Sequence, residues 1–306
     1  MLNIQESHCE SKTGTLDNVE DTFLVTPDFA AVIDGASNVS NQLIAGKTPG
    51  QHAAVLTKEA IVELNGPESI EEIITAINAK FQIFYHEHSM VEEVLKKPFI
   101  RPSAVMSLYS HYHRKIWMIG DCQCYVDGVN HQHLKEVDLI TSQARAMLIE
   151  SQLAQGKTVQ EIMDNDTSFD QIVPLLQRQY QFQNRPPNER FSYEVINGFP
   201  MYTESIKAVD VPAHVTSFSM GSDGYPRLFD SLSETEQYLE KILTIDPLCI
   251  KENSAIRGLS KERISYDDRT YIKVTIKDAM EDTFPGEFNR EINEGETILE
   301  QTSRKR

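Results

Sequence analysis

Apolar and polar positions along this chain follow two different periods, and the switches between them outline its elements. Two short strand-like runs, Thr22-Phe-Leu-Val25 and Phe29-Ala-Ala-Val-Ile33, flank a turn at Pro27-Asp28 and predict a hairpin running into Asp34-Gly35. From about 50 to 64, and again from 69 to about 86, apolar residues recur at helical spacing, with Gly66-Pro67 as the break. A meander of strands is expected next, over 104–109, 115–119 and 122–126, with turns around His111 to His113 and at Asp127-Gly128. Residues from about 138 to 182 are poor in glycine and rich in long Gln, Leu, Met and Glu side chains, which predicts a helical layer before the loop Asn184-Arg-Pro-Pro-Asn188. Strand patterns resume at 192–196, 206–209 and 215–219, a helix is predicted near 233–243, and 271–276 form a last strand.

Strands and helices come in blocks joined by tight turns, which argues for antiparallel sheets with segregated helices, the α+β class, over a doubly wound fold. No repeat or low-complexity linker marks an internal boundary, so one domain is expected over 1–277, with a helical insertion or flap at about 130–195. Residues 278–306 carry no core pattern and are expected to form an acidic, polar, mobile tail.

Composition narrows the partners. With 306 residues, 40% hydrophobic and 25% charged, the chain can bury a large core. Asp and Glu outnumber Lys and Arg by 46 to 29, a formal charge of −17 that repels nucleic acid and anionic membranes. The start, Met1 to His8, has neither the basic nor the apolar part of a secretory signal, and a cytoplasmic location is expected. Four irregularly spaced cysteines are read as free thiols, with Cys122 and Cys124 on one face of a strand.

The aspartates fall at strand ends. Asp21 precedes the first strand, Asp34 ends the second, Asp121 follows 115–119, Asp223 follows 215–219 and Asp267 precedes the last strand. Ordinary turn chemistry accounts for any one Asp-Gly pair. In an antiparallel stack, however, strand ends can meet at one rim, and clustered carboxylates repel unless cations join them. Carboxylates and main-chain carbonyls suit hard divalent ions, Mg²⁺ or Mn²⁺, and Gly35, Gly120 and Gly224 beside the acids permit close backbone approach.

Five ordered blocks, Asn18-Val-Glu20-Asp21, Ala31-Val-Ile-Asp34-Gly35, Ile119-Gly120-Asp121, Gly221-Ser222-Asp223-Gly224 and Asp267-Asp268-Arg-Thr270-Tyr-Ile, resemble the signature of the type 2C (PPM) metal-dependent Ser/Thr protein phosphatases, as a divergent member of bacterial type. The resemblance implies a four-layer α-β-β-α sandwich of two antiparallel sheets flanked by helices. It also implies hydrolysis of phosphoserine and phosphothreonine in protein substrates by water activated between two Mn²⁺ or Mg²⁺ ions. Carried over by motif, Asp34 is the bridging ligand, Gly35 offers its carbonyl, and Glu20, Asp21, Asp223 and Asp267 complete the metal set. Asp34 and Asp223 are the acids on which catalysis rests. Asp121 matches an acid for a third ion, and Asp268 supports Asp267.

Departures bear on this reading. Asp34-Gly-Ala-Ser37 lacks the histidine often found after the bridging block, and metal-bound water or Ser37 is left to serve the leaving group. The family's phosphate-binding arginine is missing; Lys12 is the nearby cation and the candidate in its place. Tyr225-Pro-Arg227 stands where many members carry another acid, which argues against a third ion. Two alternatives stay open: a small-molecule phosphohydrolase of the same fold, and a catalytically weak regulatory or binding domain. The three His-X-His pairs at 86, 111 and 131 lack the further ligands of a zinc site, Trp117 reads as core, and the Arg185 to Arg190 loop as a flap or a solvated connection.

Overall fold

The computed structural model describes residues 1–15, 19–37 and 39–277; the expected tail lies outside them. The strand Phe29–Gly35 (β3) shows why the chain forms layers. All but one of its residues are buried, because both of its faces are covered. Ala31 and Ile33 turn towards the helices, whereas Ala30 and Val32 turn towards a second sheet. Period-2 alternation thus divides one apolar run between two cores.

β3 pairs antiparallel with Thr22–Val25 (β2) and Ala104–Ser110 (β4), which continues through Lys115–Ile119 (β5) to Lys207–Asp210 (β8). The second sheet places Leu2–Glu10 (β1) at one edge, then Arg269–Ile276 (β10), Ser217–Gly221 (β9), Gln123–Val126 (β6) and Val129–His131 (β7). Tyr109, Ile116 and Met118 of the first sheet meet Phe218, Ile272 and Val274 of the second. The fold is the expected α+β class, two antiparallel five-stranded sheets flanked by helices.

Two helices cover the outer face of the first sheet. Pro49–Val62 (α1) starts on a capping box at Thr48 with proline in its first turn, and Ile70–Glu87 (α2) starts on another at Ser69. In α2, Ile73, Ile74, Ile77, Phe81, Phe84 and Tyr85 recur at helical spacing and are buried, packing with Trp117 and Leu108. Truncating wholly buried Phe81 to alanine would cost about 3–5 kcal/mol. The short Val91–Lys96 (α3) follows. Glu136–Ala154 (α4), Val159–Asp164 (α5) and Ser168–Gln179 (α6) make the expected helical layer, and Leu232–Ile245 (α7) packs Leu239 against Tyr271 on the outer face of the second sheet. Among the described residues no helix is long and apolar enough to cross a membrane.

Three expectations need correction. The meander does not stay in one sheet: Gly120, at φ +76°, turns the chain across the sandwich, so β6 pairs with β9 and not with β5. Residues 192–196 form no strand, although Tyr193, Val195 and Ile196 are buried. The Asn184 side chain takes both backbone groups of Val195, and Ile196 makes one isolated bridge to Ala104. β1 went unforeseen, since it is a largely exposed edge strand with a register shift between Ile4 and Glu6, and it has no apolar alternation to read.

The smaller expectations hold. All four cysteines are free, with Cys122 and Cys124 buried between the sheets, and Trp117 is core. Asp127 and Gly128, both at positive φ, close the β6–β7 hairpin as a type I′ turn.

Candidate functional site

Strand ends from both sheets deliver acids to one cleft of about 230 Å³. Asp34 stands near the end of β3, Asp121 beyond β5, Asp223 beyond β9 and Asp267 before β10, and all four line the cleft with Ser37 and Lys135. Two glycines let the backbone close here. A Cβ on Gly35 would lie 2.3 Å from the Gly50 carbonyl oxygen, and one on Gly224 would lie 1.8 Å from that of Asp268. The helical layer and the 253–256 segment form the opposite wall, through Asp138, Tyr180 and Asn253.

Glu20 and Asp21 are buried, 4% and 5% exposed, and set back from the cleft. One carboxylate oxygen of Glu20, Oε1, accepts the hydroxyl of Thr48 at 2.6 Å, at the N-terminus of α1. The other, Oε2, accepts the ammonium of Lys12 at 3.0 Å. Lys12 also donates to Ser37 Oγ at 3.0 Å and Asp267 Oδ1 at 3.1 Å, with Asp268 Oδ2 at 3.5 Å. Its three N–H donors are therefore engaged by protein acceptors. Asp268 accepts the main-chain amides of Lys12 and Glu20, each at 2.8 Å, and so fastens the first acid block to the last.

A second lysine serves Asp121. Lys135 Nζ lies 2.9 Å from Asp121 Oδ2 and 3.0 Å from Asp138 Oδ2. Burial alone would depress both ammonium groups. Instead Asp267, Glu20 and Asp268 hold Lys12 above its ordinary pKa, and Asp121 and Asp138 do the same for Lys135.

The acids divide by their company. Burial and then the neighbouring carboxylates Asp21, Asp223, Asp267 and Asp121 push Asp34 well above the carboxylate range. Asp223 is raised by burial and then by Asp121 and Asp267, and lies within hydrogen-bonding reach of Asp34. Asp21 is pushed up to about 7 by burial and by Asp268. Asp267 goes the other way: although burial raises it, Lys12, Arg263 and the Asp268 amide hold it below its ordinary value.

Among the described residues no three His, Cys, Asp or Glu side chains are arranged to hold a metal ion as they stand. The donor chemistry nonetheless fits one hard cation at the Asp34–Asp223 end. Two carboxyls in reach of each other and both raised can share a proton or an ion, and Asp121 and Asp267 beside them add further oxygen donors. At the Glu20 end it fits less well, since both oxygens of that residue already have protein donors.

Sequence reading missed Lys135, Asp138 and the devices holding the 253–256 wall. Asp246 accepts amides of Ile250, Lys251 and Glu252, and the buried Arg145 donates to carbonyls of Leu248 and Ala255 and to Asp166. None of these residues sits in a motif block. A Lys135/Asp138 pair at helix start is too common a pattern to signal a site. No histidine lines the cleft among the described residues.

The arrangement is thus an α-β-β-α sandwich with an oxygen-lined acidic cleft at the strand ends. No family model and no curated protein sequence matches the chain. Solved structures that match its fold are bacterial PPM-type serine/threonine phosphatases. The Mycobacterium tuberculosis phosphatase PstP/Ppp is 12% identical, with 90% of this chain and 99% of that one covered and a TM-score of 0.44. A PstP catalytic domain solved with two manganese ions is 13% identical, covering 91% and 100%, at 0.44. Staphylococcus aureus Stp1 is 12% identical, covering 90% and 96%, at 0.43. Likeness at this level leaves the roles of individual residues to the chain's own geometry.

Proposed function

We propose that this chain is a phosphomonoester hydrolase acting on phosphoserine or phosphothreonine side chains, with a divalent cation, Mn²⁺ or Mg²⁺, held by Asp34 and Asp223 and flanked by Asp121 and Asp267. The observation that carries the proposal is the meeting of four acids from four separate sequence blocks in one cleft. A bound cation would neutralise phosphoryl oxygens and make water nucleophilic near neutral pH.

The chain's own residues supply the remaining parts. Ser37 Oγ accepts from Lys12, which leaves its own hydrogen for a phosphoryl oxygen. Lys135 lines the cleft and spends two donors on Asp121 and Asp138, which leaves it a third, so it can take the part of the missing arginine as a point charge. With no histidine in the cleft, the leaving oxygen takes its proton from water or through Ser37.

A cleft of about 230 Å³ is smaller than the range of about 300–1,000 Å³ in which sites enclose whole small molecules. It suits a phosphorylated side chain whose backbone stays outside, and this favours a protein substrate over a metabolite.

The test is hydrolysis of p-nitrophenyl phosphate and of a phosphothreonine peptide with added Mn²⁺. Asp34→Asn and Asp223→Asn should each lower turnover roughly a hundredfold or more. Turnover untouched by both substitutions would reject the site, and a complete absence of turnover in the wild type would favour a binding domain.

A further inference from the structure

We propose that the ammonium of Lys12 is a built-in cation standing at the Glu20 end of the cluster, so that the centre takes one divalent ion and not two. The inference rests on the functional reading above, because it presumes an ion at the Asp34–Asp223 end.

Seven carboxylates gather here, from Glu20, Asp21, Asp34, Asp121, Asp223, Asp267 and Asp268. Lys12 is among the most buried of the chain's lysines, 8% exposed, and its Nζ has oxygens of Glu20, Ser37 and Asp267 at 3.0, 3.0 and 3.1 Å and of Asp268 at 3.5 Å. An ammonium with three of its donors on three acceptors, two of them carboxylates, is a satisfied buried charge and has no reason to leave. A divalent ion binding Glu20 would have to displace it, placing two positive centres within a few ångströms of each other.

The position is also fixed from the main chain. The Lys12 amide donates to Asp268 Oδ1 and the Lys12 carbonyl accepts from Ile264 and Ser265, so the backbone beneath the ammonium is tied to the segment that carries Asp267. Among the described residues no ammonium lies within ion-pairing distance of Asp34 or Asp223: Lys135 pairs with Asp121 and Asp138 and acts on Asp223 only from further off. The demand for an external cation is therefore left at one end only.

Mn²⁺ binding to the full chain should be counted by equilibrium dialysis with electron spin resonance of the free ion. The wild type and Lys12→Arg should bind one ion per chain. Lys12→Ala, which opens the space, leaves Glu20 Oε2 without its donor and removes the ammonium from Asp267 and Asp268, should bind two. In EDTA the thermal midpoint of Lys12→Ala should fall by about 5–10 °C, and excess Mn²⁺ should restore most of it. Two ions on the wild type, or one on a folded Lys12→Ala, would overturn the inference. If Lys12→Ala does not fold, the wild-type count decides alone. A wild type that binds no Mn²⁺ would take the functional reading down with it, whereas a count of two leaves that reading standing.

Discussion

Asp268 and Glu20 are joined across 248 positions of the chain: the carboxylate of Asp268 accepts the main-chain amide of Glu20 at 2.8 Å while its other oxygen accepts that of Lys12 at 2.8 Å. At 2% exposed, Asp268 does this out of reach of water. Asp268→Ala should therefore strand two amides and lose two charge-assisted bonds, destabilising the fold by about 3 kcal/mol. Asp268→Asn keeps one acceptor oxygen and should lose about half of that. Urea unfolding of the two variants checks the order, and equal midpoints for Asp268→Ala and the wild type would refute it.

Stability without metal should fall as pH rises. Asp21, Asp34 and Asp223 are held above the ordinary carboxylate range by burial and by each other, Asp21 at about 7. Between an unfolded value of about 4 and these folded values, the native state binds more protons than the unfolded one, so unfolding free energy declines with pH. Asp267 and Asp166, held low, act oppositely, but their contribution is complete above about pH 4 and is lost only in more acid solution. In EDTA the thermal midpoint should drop steadily from pH 5 to pH 8, and excess Mn²⁺ should flatten the slope. A flat or rising series in EDTA would count against the shared-proton arrangement.

How much of this could be read from the residues alone differs between the layers and the site. β3 and α2 were legible because their periods are strong and their ends punctuated: Pro27-Asp28 and Asp34-Gly35 for the strand, Gly66-Pro67 before the helix. β1 was not, since an edge strand that buries little needs no apolar alternation. Residues 192–196 misled in the opposite way. Tyr193 and Val195 alternate with polar residues and, like Ile196, are buried, but Asn184 supplies the hydrogen bonds of Val195 that a neighbouring strand would have given. In the site, acids beside glycine at strand ends stood out, and the cleft collects Asp34, Asp121, Asp223 and Asp267. The counter-charges did not stand out. Whether Lys12 meets a phosphate or three acids depends on which loops fold over it, and Lys135 reaches Asp121 only through the sheet-crossing turn at Gly120.

Gly224 should tolerate no side chain. Its missing Cβ would meet the Asp268 carbonyl oxygen at 1.8 Å, and backbone faces it on that side, so Gly224→Ala must push β9 from the start of β10. The expected loss is about 3 kcal/mol or more, with Asp223 displaced and Mn²⁺ affinity lowered at least tenfold. Gly128 offers the comparison: it has positive φ but nothing within 4 Å, so Gly128→Ala should cost about 1 kcal/mol and leave Mn²⁺ binding alone. Chemical denaturation and Mn²⁺ titration of both variants test the contrast, and equal losses would remove the case for close approach at Gly224.

Arg145 holds the wall opposite the acids. It is fully buried, and its guanidinium donates to the carbonyls of Leu248 at 2.8 Å and Ala255 at 3.2 Å and to Asp166 Oδ2 at 2.8 Å. These bonds tie α4 to the turn before α6 and to the segment whose Asn253 and Ser254 line the cleft. Arg145→Met should leave Asp166 without its cation and two buried carbonyls without donors, a loss of about 3–5 kcal/mol. Asp166→Asn keeps an oxygen for the guanidinium and should cost about 1–2 kcal/mol. Arg145→Lys should not rescue, because a single ammonium cannot reach three acceptors spread around a planar fork. Because no acid of the cleft touches Arg145, its loss should raise KM for a phosphopeptide more than it lowers kcat. A variant that loses kcat alone would place Arg145 in the chemistry instead of in the wall.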